Sequence, residues 1–175
     1  MASMSVFMLP EQGRRSRILV LSLSFFLGHL LGIWISGAAS DFFISEMRLT
    51  ASSQVSIIGL LISAVLPFLF SAFAVYLERP VLLNPIAFSK AFLFSYVGYR
   101  WWIAWNQAGW LVTGLVMFTS FLSLPVLFWY WLRYIDGRKL EWRIFFLVLG
   151  CLLAIGIADQ QWIMPFLRSI INLEG

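Results

Sequence analysis

The residues with the greatest capacity for chemistry are four ionisable side chains within long apolar runs or at their ends: His29, Lys90, Arg100 and Asp159. Ionisable groups inside a bilayer often line a proton or ion pathway. A proton relay, however, needs a carboxylate near the middle of the membrane, and Asp159 lies at the end of its run. Lys90 and Arg100 are near enough to the ends of their run for their charged heads to reach the interface. The sequence therefore favours charges that snorkel over a pathway.

No catalytic constellation accompanies these four residues. His29 has no carboxylate within its own run, and the sequence contains one histidine and one cysteine, Cys151, which argues against a zinc or iron–sulfur site. Phosphate-binding loops and paired carboxylates are also absent from the sequence. We therefore predict a protein that is not an enzyme and has no cofactor or metal. A membrane-embedded enzyme would need a polar cavity around His29 and Asp159, whose predicted depths differ.

Small residues recur at intervals of four on two of the apolar runs. The first run has Ser24, Gly28, Gly32 and Ser36, and the fifth has Gly150, Ala154 and Ala158. Small side chains let helix backbones approach closely, which is a main source of helix association in lipid. The favoured interpretation is packing within the bundle, and the alternative is a docking face for a membrane helix of another protein.

The elements that must position these residues are apolar runs long enough to cross a membrane. Of the 175 residues, 61% are hydrophobic and 11% are charged, whereas soluble domains are about 25% charged. The runs cover residues 18–37, 55–77, 85–105, 108–132 and 144–160, and a crossing helix needs about 20 residues. The sequence thus predicts an all-α polytopic membrane helix bundle, residues 18–175, with five transmembrane helices. We expect a cytoplasmic tail at 1–17 and an interfacial helix at 162–171.

Three local features refine these elements. Arg14, Arg15 and Arg17 precede the first run as in a signal peptide, but its length and the runs that follow favour a retained span. Pro125 is expected to kink the fourth helix. Cys151 is expected to be a small buried side chain in the fifth.

The distribution of lysine and arginine predicts the orientation of the chain. If the N-terminus is cytoplasmic, the cytoplasmic segments hold Arg14, Arg15, Arg17, Arg79, Arg133, Arg138, Lys139 and Arg143. The segments on the other side hold only Arg48 and Arg168. The positive-inside rule therefore places the N-terminus in the cytoplasm and the C-terminus outside the cell membrane. Because these cations serve as topology signals, the net charge of +4 implies no nucleic-acid partner.

Aromatic side chains cluster near the predicted helix ends. The outer set is Trp34, Tyr99, Trp101, Trp102, Trp105, Trp110 and Trp162, and the inner set is Trp129, Tyr130, Trp131, Tyr134 and Trp142. Indole and phenol rings prefer the membrane–water interface. Two interfacial belts are therefore favoured over an aromatic ligand cage.

The order of several short motifs resembles the stage II sporulation protein M family of bacterial membrane proteins. The motifs are Phe25-Phe26-Leu27-Gly28 with Gly32, Phe88-Ser89-Lys90-Ala91-Phe92, Gln107-Ala108-Gly109-Trp110, Leu124-Pro125, and the stretch Ala154 to Phe166 with Pro165. The chain departs from the family at Ala91, where the family has glycine, and in a shorter first loop. The resemblance implies a noncatalytic scaffold, since the sporulation protein holds peptidoglycan-degrading enzymes at the septal membrane.

Two classes of function therefore follow from the sequence. The preferred one is a bundle that recruits or positions other membrane or cell-envelope proteins within the lipid bilayer, with homo-oligomerisation left open. The alternative is a small transporter or a permease-like subunit, because Pro85, Lys90, Arg100 and Pro125 interrupt the third and fourth runs. Discontinuous helices near polar residues often mark substrate paths, although the two halves show no convincing inverted repeat.

Overall fold

The fold was analysed in a computed structural model, which describes residues 9–38, 57–104, 109–163, 165–166 and 169. In this part of the chain there are five α-helices and no strand. The helices are α1 (Leu9–Ala38), α2 (Ile57–Tyr76), α3 (Leu83–Ala104), α4 (Gly109–Tyr134) and α5 (Trp142–Ala158). The predicted all-α architecture is confirmed. The junction between the predicted third and fourth runs, residues 105–108, lies outside the described residues.

Three helical stretches among the described residues are long and apolar enough to cross a membrane. They are Gly13–Ala38, Pro80–Arg100 and Trp142–Ile163, of 26, 21 and 22 residues, and about 20 residues suffice to cross. Leucine and phenylalanine side chains are widely exposed on the outer faces of the helices, which would be unfavourable in water. These features indicate a membrane protein. Within α2 the apolar segment Val65–Tyr76 is shorter, and crossing by α2 and α4 stays a prediction.

Helix α1 begins earlier than predicted, because the second half of the expected N-terminal tail is helical. It starts at Leu9, nine residues before the predicted span. Pro10 is compatible with a first helical turn, where its missing N–H has no partner to lose. Arg14 and Arg17 then hold this extension against the rest of the molecule through Asp136 and the Ile135 carbonyl.

Helix α2 ends in a left-handed turn at Glu78, whose φ is +55°. The Glu78 N–H donates to the Val75 carbonyl and the Arg79 N–H donates to the Ala74 carbonyl, both at 3.0 Å. This is the Schellman pattern, which usually has glycine in the left-handed position. Pro80–Leu82 follow as a single 3-10 turn that leads directly into α3.

Two helices continue through a proline. Pro125 lies inside α4, as the sequence analysis expected, and Pro67 lies inside α2. Each proline removes one backbone donor from its helix. The carbonyl of Pro67 accepts a hydrogen bond of 2.7 Å from the Ser71 hydroxyl one turn later. A kink at Pro125 stays a prediction.

The C-terminal end of α5 differs from the prediction of a span that ends at residue 160 and a separate interfacial helix from residue 162. Asp159–Ile163 continue the helix as one π-helical turn, so Trp162 belongs to this continuation and does not begin a separate helix. Asp159, Gln160 and Gln161 are polar, but none of them is proline or glycine, so the segment can remain helical. Most of the predicted interfacial helix, 162–171, lies outside the described residues.

The contacts between helices place the start of α1, the end of α2, the start of α3, the end of α4 and the start of α5 at one end of the bundle. Arg14 Nε forms an ion pair with Asp136 Oδ2 at 3.2 Å, and Arg17 Nη1 donates to the Ile135 carbonyl. We call this the basic end, because its segments carry Arg14, Arg15, Arg17, Arg79, Arg133, Arg138, Lys139 and Arg143. Helix α1 packs chiefly on α3, and α2, α4 and α5 pack on one another.

The buried core lies among all five helices, and aromatic residues of α4 contribute much of it. Tyr130, Trp131 and Tyr134 are buried, so the inner aromatic belt was predicted wrongly for these three. Trp129 and Trp142 are exposed, as are Trp34, Tyr99, Trp102 and Trp162 of the outer set. The side chains of Trp101, Trp105 and Trp110 lie outside the described set.

Candidate functional site

The small-residue face of α1 packs directly against the backbone of α3. A Cβ added to Gly32 would lie 2.5 Å from the Phe92 carbonyl oxygen, and one added to Gly28 would overlap the Phe88 carbonyl oxygen. The Ser36 hydroxyl donates to the Tyr96 carbonyl at 3.2 Å. Successive residues along α1 contact successive residues along α3, from Phe88 to Tyr96, so the two helices run parallel. Ser24 is half-buried on the same helix.

His29 lies in this interface and its partner comes from the neighbouring helix. Its Nδ1 is hydrogen-bonded to the hydroxyl of Ser95 on α3. The Phe25 and Phe94 rings meet the imidazole edge-on, with centroids 4.8 and 5.6 Å away. Sequence analysis missed Ser95 because it compared residues only within one run. The pair joins α1 to α3.

Lys90, Arg100 and Asp159 are buried within the protein, so the prediction that the charged heads of Lys90 and Arg100 reach an interface is wrong. Lys90 is 5% exposed and the other two are fully enclosed. Each takes part in polar or electrostatic interactions, and the Arg100 guanidinium carbon lies 5.7 Å from the centre of the Tyr96 ring. The depth of each residue along its helix could be predicted from the sequence, but the side of the helix on which it lies could not.

Two of these charges lie at the end of the bundle opposite the basic end. Arg100 lies about one turn before the end of α3, and Asp159 directly follows α5. A buried cation and a buried anion at the same end can compensate for one another, whereas either charge alone would be costly to bury. Lys90 lies nearer the start of α3, and His29 contacts the middle of that helix.

The small-residue face of α5 is not used in the same way as that of α1. Gly150 and Ala154 are exposed, nothing lies within 4 Å of a Cβ added to Gly150, and Ala158 is half-buried. Internal packing, the favoured interpretation for this face, is therefore wrong for the first two positions. Cys151 is also exposed rather than buried. We call Gly150, Cys151 and Ala154 the open face of α5.

A polar chain between α2 and α4 was not found from the sequence. The indole N–H of Trp131 donates to the Ser71 hydroxyl at 2.8 Å, and Ser71 in turn donates to the Pro67 carbonyl. The bond is buried, and it satisfies a donor that lipid or core side chains could not. The signal available in the sequence was Ser71 four residues after Pro67, the spacing at which a serine hydroxyl reaches the proline carbonyl on a helix.

The described residues contain no group of three or more histidine, cysteine, aspartate or glutamate side chains that could hold a metal ion. The polar groups of the bundle are dispersed along it: the His29–Ser95 pair near mid-helix, the Trp131–Ser71 bond between α2 and α4, and the buried charges of α3 and α5. This arrangement joins helices to one another.

Comparison of the chain with family models, with curated proteins and with solved structures finds no match. The resemblance to the stage II sporulation protein M family therefore rests on the short motifs alone.

Proposed function

We propose that the protein is a noncatalytic scaffold of the cell membrane that docks a transmembrane helix of another protein on the open face of α5. The observation that carries the proposal is the contrast between two small-residue faces. Gly28 and Gly32 are covered by α3, whereas Gly150 and Ala154 are left exposed. Close backbone approach at such residues is a main source of helix association in lipid.

The surroundings of the open face support a helix as its occupant. Phe146, Leu147 and Ile157 flank it and are all exposed, so the small residues form a shallow groove between larger apolar side chains. The motif resemblance supports a membrane or cell-envelope protein as the partner, with peptidoglycan-degrading enzymes as the first class to test. The basic end faces the cytoplasm in this proposal, in keeping with the positive-inside rule.

The native Cys151 makes the proposal testable by crosslinking without engineering a new cysteine. In membranes of the source cell, a bifunctional maleimide is expected to join Cys151 to a specific partner, which mass spectrometry identifies. Gly150→Leu and Ala154→Leu should abolish that product because they fill the groove. Gly114→Leu is the matched control, since Gly114 is exposed on α4 with nothing within 4 Å of its added Cβ. Repeated purification of the chain alone, without a crosslinked partner, would contradict the proposal.

A small transporter is the second candidate, and buried charge is the observation that favours it. Lys90, Arg100 and Asp159 are enclosed in helices proposed to cross the bilayer, and such residues often mark substrate paths. Uptake of a solute into proteoliposomes that is lost in both Lys90→Ala and Arg100→Ala would favour transport over the scaffold.

A further inference from the structure

A cavity of about 460 Å³ opens at the basic end of the bundle. The start of α1, the turn between α2 and α3, and the segment after α4 form its walls. Its lining residues are Ser16, Arg17, Val20, Glu78, Arg79, Pro80, Val81, Asn84 and Ile135. The volume falls within the range of about 300–1,000 Å³ that is usual for small-molecule sites.

Two guanidinium groups give the cavity its positive charge. Arg17 is anchored by the hydrogen bond from its Nη1 to the Ile135 carbonyl, which is a neutral acceptor. In the described part of the chain, no carboxylate lies within 4.0 Å of the Arg17 or Arg79 side-chain nitrogens. Asp136 directly follows Ile135 in the chain, but its carboxylate is already paired with Arg14 at 3.2 Å.

Glu78 is the acidic residue that also lines this cavity. It lines a second, smaller cavity of about 210 Å³ with Lys139 as well, so its carboxylate lies on the border between the two. The charged side chains that line the larger cavity therefore carry a net positive charge.

Four of the remaining lining residues are apolar, and the other two are the polar Ser16 and Asn84. Val20 and Val81 are exposed although they line the cavity, and Pro80 and Ile135 add further apolar surface. A ligand that satisfies all of these walls has an anionic group for the two arginines and a hydrocarbon part beside the valines. A free anion would leave the apolar walls unused.

We propose that this cavity binds the phosphate headgroup of an anionic phospholipid, with the upper part of an acyl chain against Val20 and Val81. Basic pockets between helices on the cytoplasmic side are suited to such headgroups. The site is separate from the open face of α5, and it rests only on the basic end lying at a membrane surface.

The test uses the purified full-length chain in detergent, titrated with dioleoylphosphatidylglycerol or dioleoylphosphatidylcholine and followed by native mass spectrometry. We expect phosphatidylglycerol to bind more tightly. Arg17→Gln and Arg79→Gln should each weaken it about fivefold, since a basic residue near an anionic lipid contributes about that much. Ser16→Trp should weaken it too, because it fills the cavity and leaves both arginines in place.

Matched variants separate the cavity from general surface charge. Arg15→Gln lies on the same helix and Arg138→Gln at the same end, neither lines the cavity, and both should leave the affinity unchanged. Arg79→Lys should retain most of the binding and shows that the position tolerates substitution.

Equal losses in the cavity and control variants would overturn the proposal, as would equal binding of the two lipids or an unchanged Ser16→Trp. Inorganic phosphate and glycerol 3-phosphate are the free-anion probes. Full competition by either at millimolar concentration would assign the site to a soluble anion instead of a lipid.

Discussion

The effect of adding a Cβ atom at Gly28 or Gly32 depends on the α3 backbone that each residue contacts. Alanine is ordinarily favoured over glycine inside a helix by about 0.8–1 kcal/mol. At these two positions the added Cβ would meet a carbonyl oxygen of the neighbouring backbone, which cannot swing away as a side chain can. Helix propensity therefore favours alanine at these two positions and packing disfavours it, and we expect the packing cost to be the larger.

Gly28→Ala and Gly32→Ala are expected to lower the free energy of unfolding by about 1–3 kcal/mol, the usual cost of overpacking. Gly114→Ala, in open space on α4, should be neutral or stabilising. Thermal unfolding of the purified chain in one detergent compares the three. A loss in Gly114→Ala equal to the others would show that the α1–α3 contact is not the cause.

The Trp131–Ser71 bond gives a second prediction at the level of residues. Ser71→Ala leaves a buried indole N–H without its acceptor, which costs about 1–3 kcal/mol. Trp131→Phe removes that donor together with some buried apolar surface, so adding Ser71→Ala to it should cost little more. A double-mutant cycle measured by unfolding in detergent tests this, with the exposed Ser16→Ala as the control. Strict additivity would contradict a direct interaction between the two side chains.

Helix ends carry the strain and the charge of this molecule at the level of elements. The left-handed Glu78 follows the end of α2 at the basic end, and Arg100 and Asp159 lie near the ends of α3 and α5 at the other. At both ends a residue type that is locally unfavourable is held by its neighbours. The consequences for stability differ, because Glu78 has an unfavourable backbone conformation, whereas Arg100 and Asp159 are buried charges.

Glu78→Gly is expected to raise the free energy of unfolding by about 1 kcal/mol, because glycine adopts the left-handed conformation without a Cβ clash. Glu78→Ala removes the same charge but keeps the Cβ, and it should not stabilise the protein. Thermal unfolding distinguishes the two variants. Equal stabilisation by both would mean that the charge of Glu78, and not its φ of +55°, is unfavourable.

If Arg100 and Asp159 are partners, Arg100→Gln and Asp159→Asn should each destabilise the bundle by about 3–5 kcal/mol, because each change would leave the other charge uncompensated in a fully buried place. If the two charges compensate for one another, the double variant should be more stable than either single one. Arg143→Gln, an exposed cation on α5, controls for loss of charge alone. Unfolding midpoints in detergent are the measurement, and a double variant that loses the sum of both costs would show that the charges are independent.

At the level of the whole molecule, hydropathy predicted the class of fold but not the rotation of each helix. The apolar runs located α1 to α5 to within a few residues at most ends, because a membrane helix needs a minimum length. In lipid, both faces of such a helix are apolar, so the pattern that shows the inward face of a soluble helix is weak. The burial of Lys90 and Arg100, the partner of His29 and the exposure of Gly150 therefore could not be read from the sequence.

The orientation of the bundle is the prediction that belongs to this scale. Reporter domains fused after Glu46, Gly137 and Gly175 should respond differently, with only the one after Gly137 reporting a cytoplasmic position. The asymmetry of basic residues is the reason, since Arg133, Arg138, Lys139 and Arg143 surround that loop. A cytoplasmic signal from Gly175 would mean an even number of crossings.

The parallel contact of α1 with α3 has a consequence for biogenesis. During translation α1 is synthesised well before α3, so the Gly28–Gly32 surface and His29 must wait in the insertion machinery or in lipid without Ser95. Completing that contact requires synthesis through about residue 99, where Tyr99 of α3 reaches Gly37. A nascent chain stopped after α2 therefore presents a polar imidazole and a bare glycine surface, which membrane chaperones and proteases can recognise as unfinished.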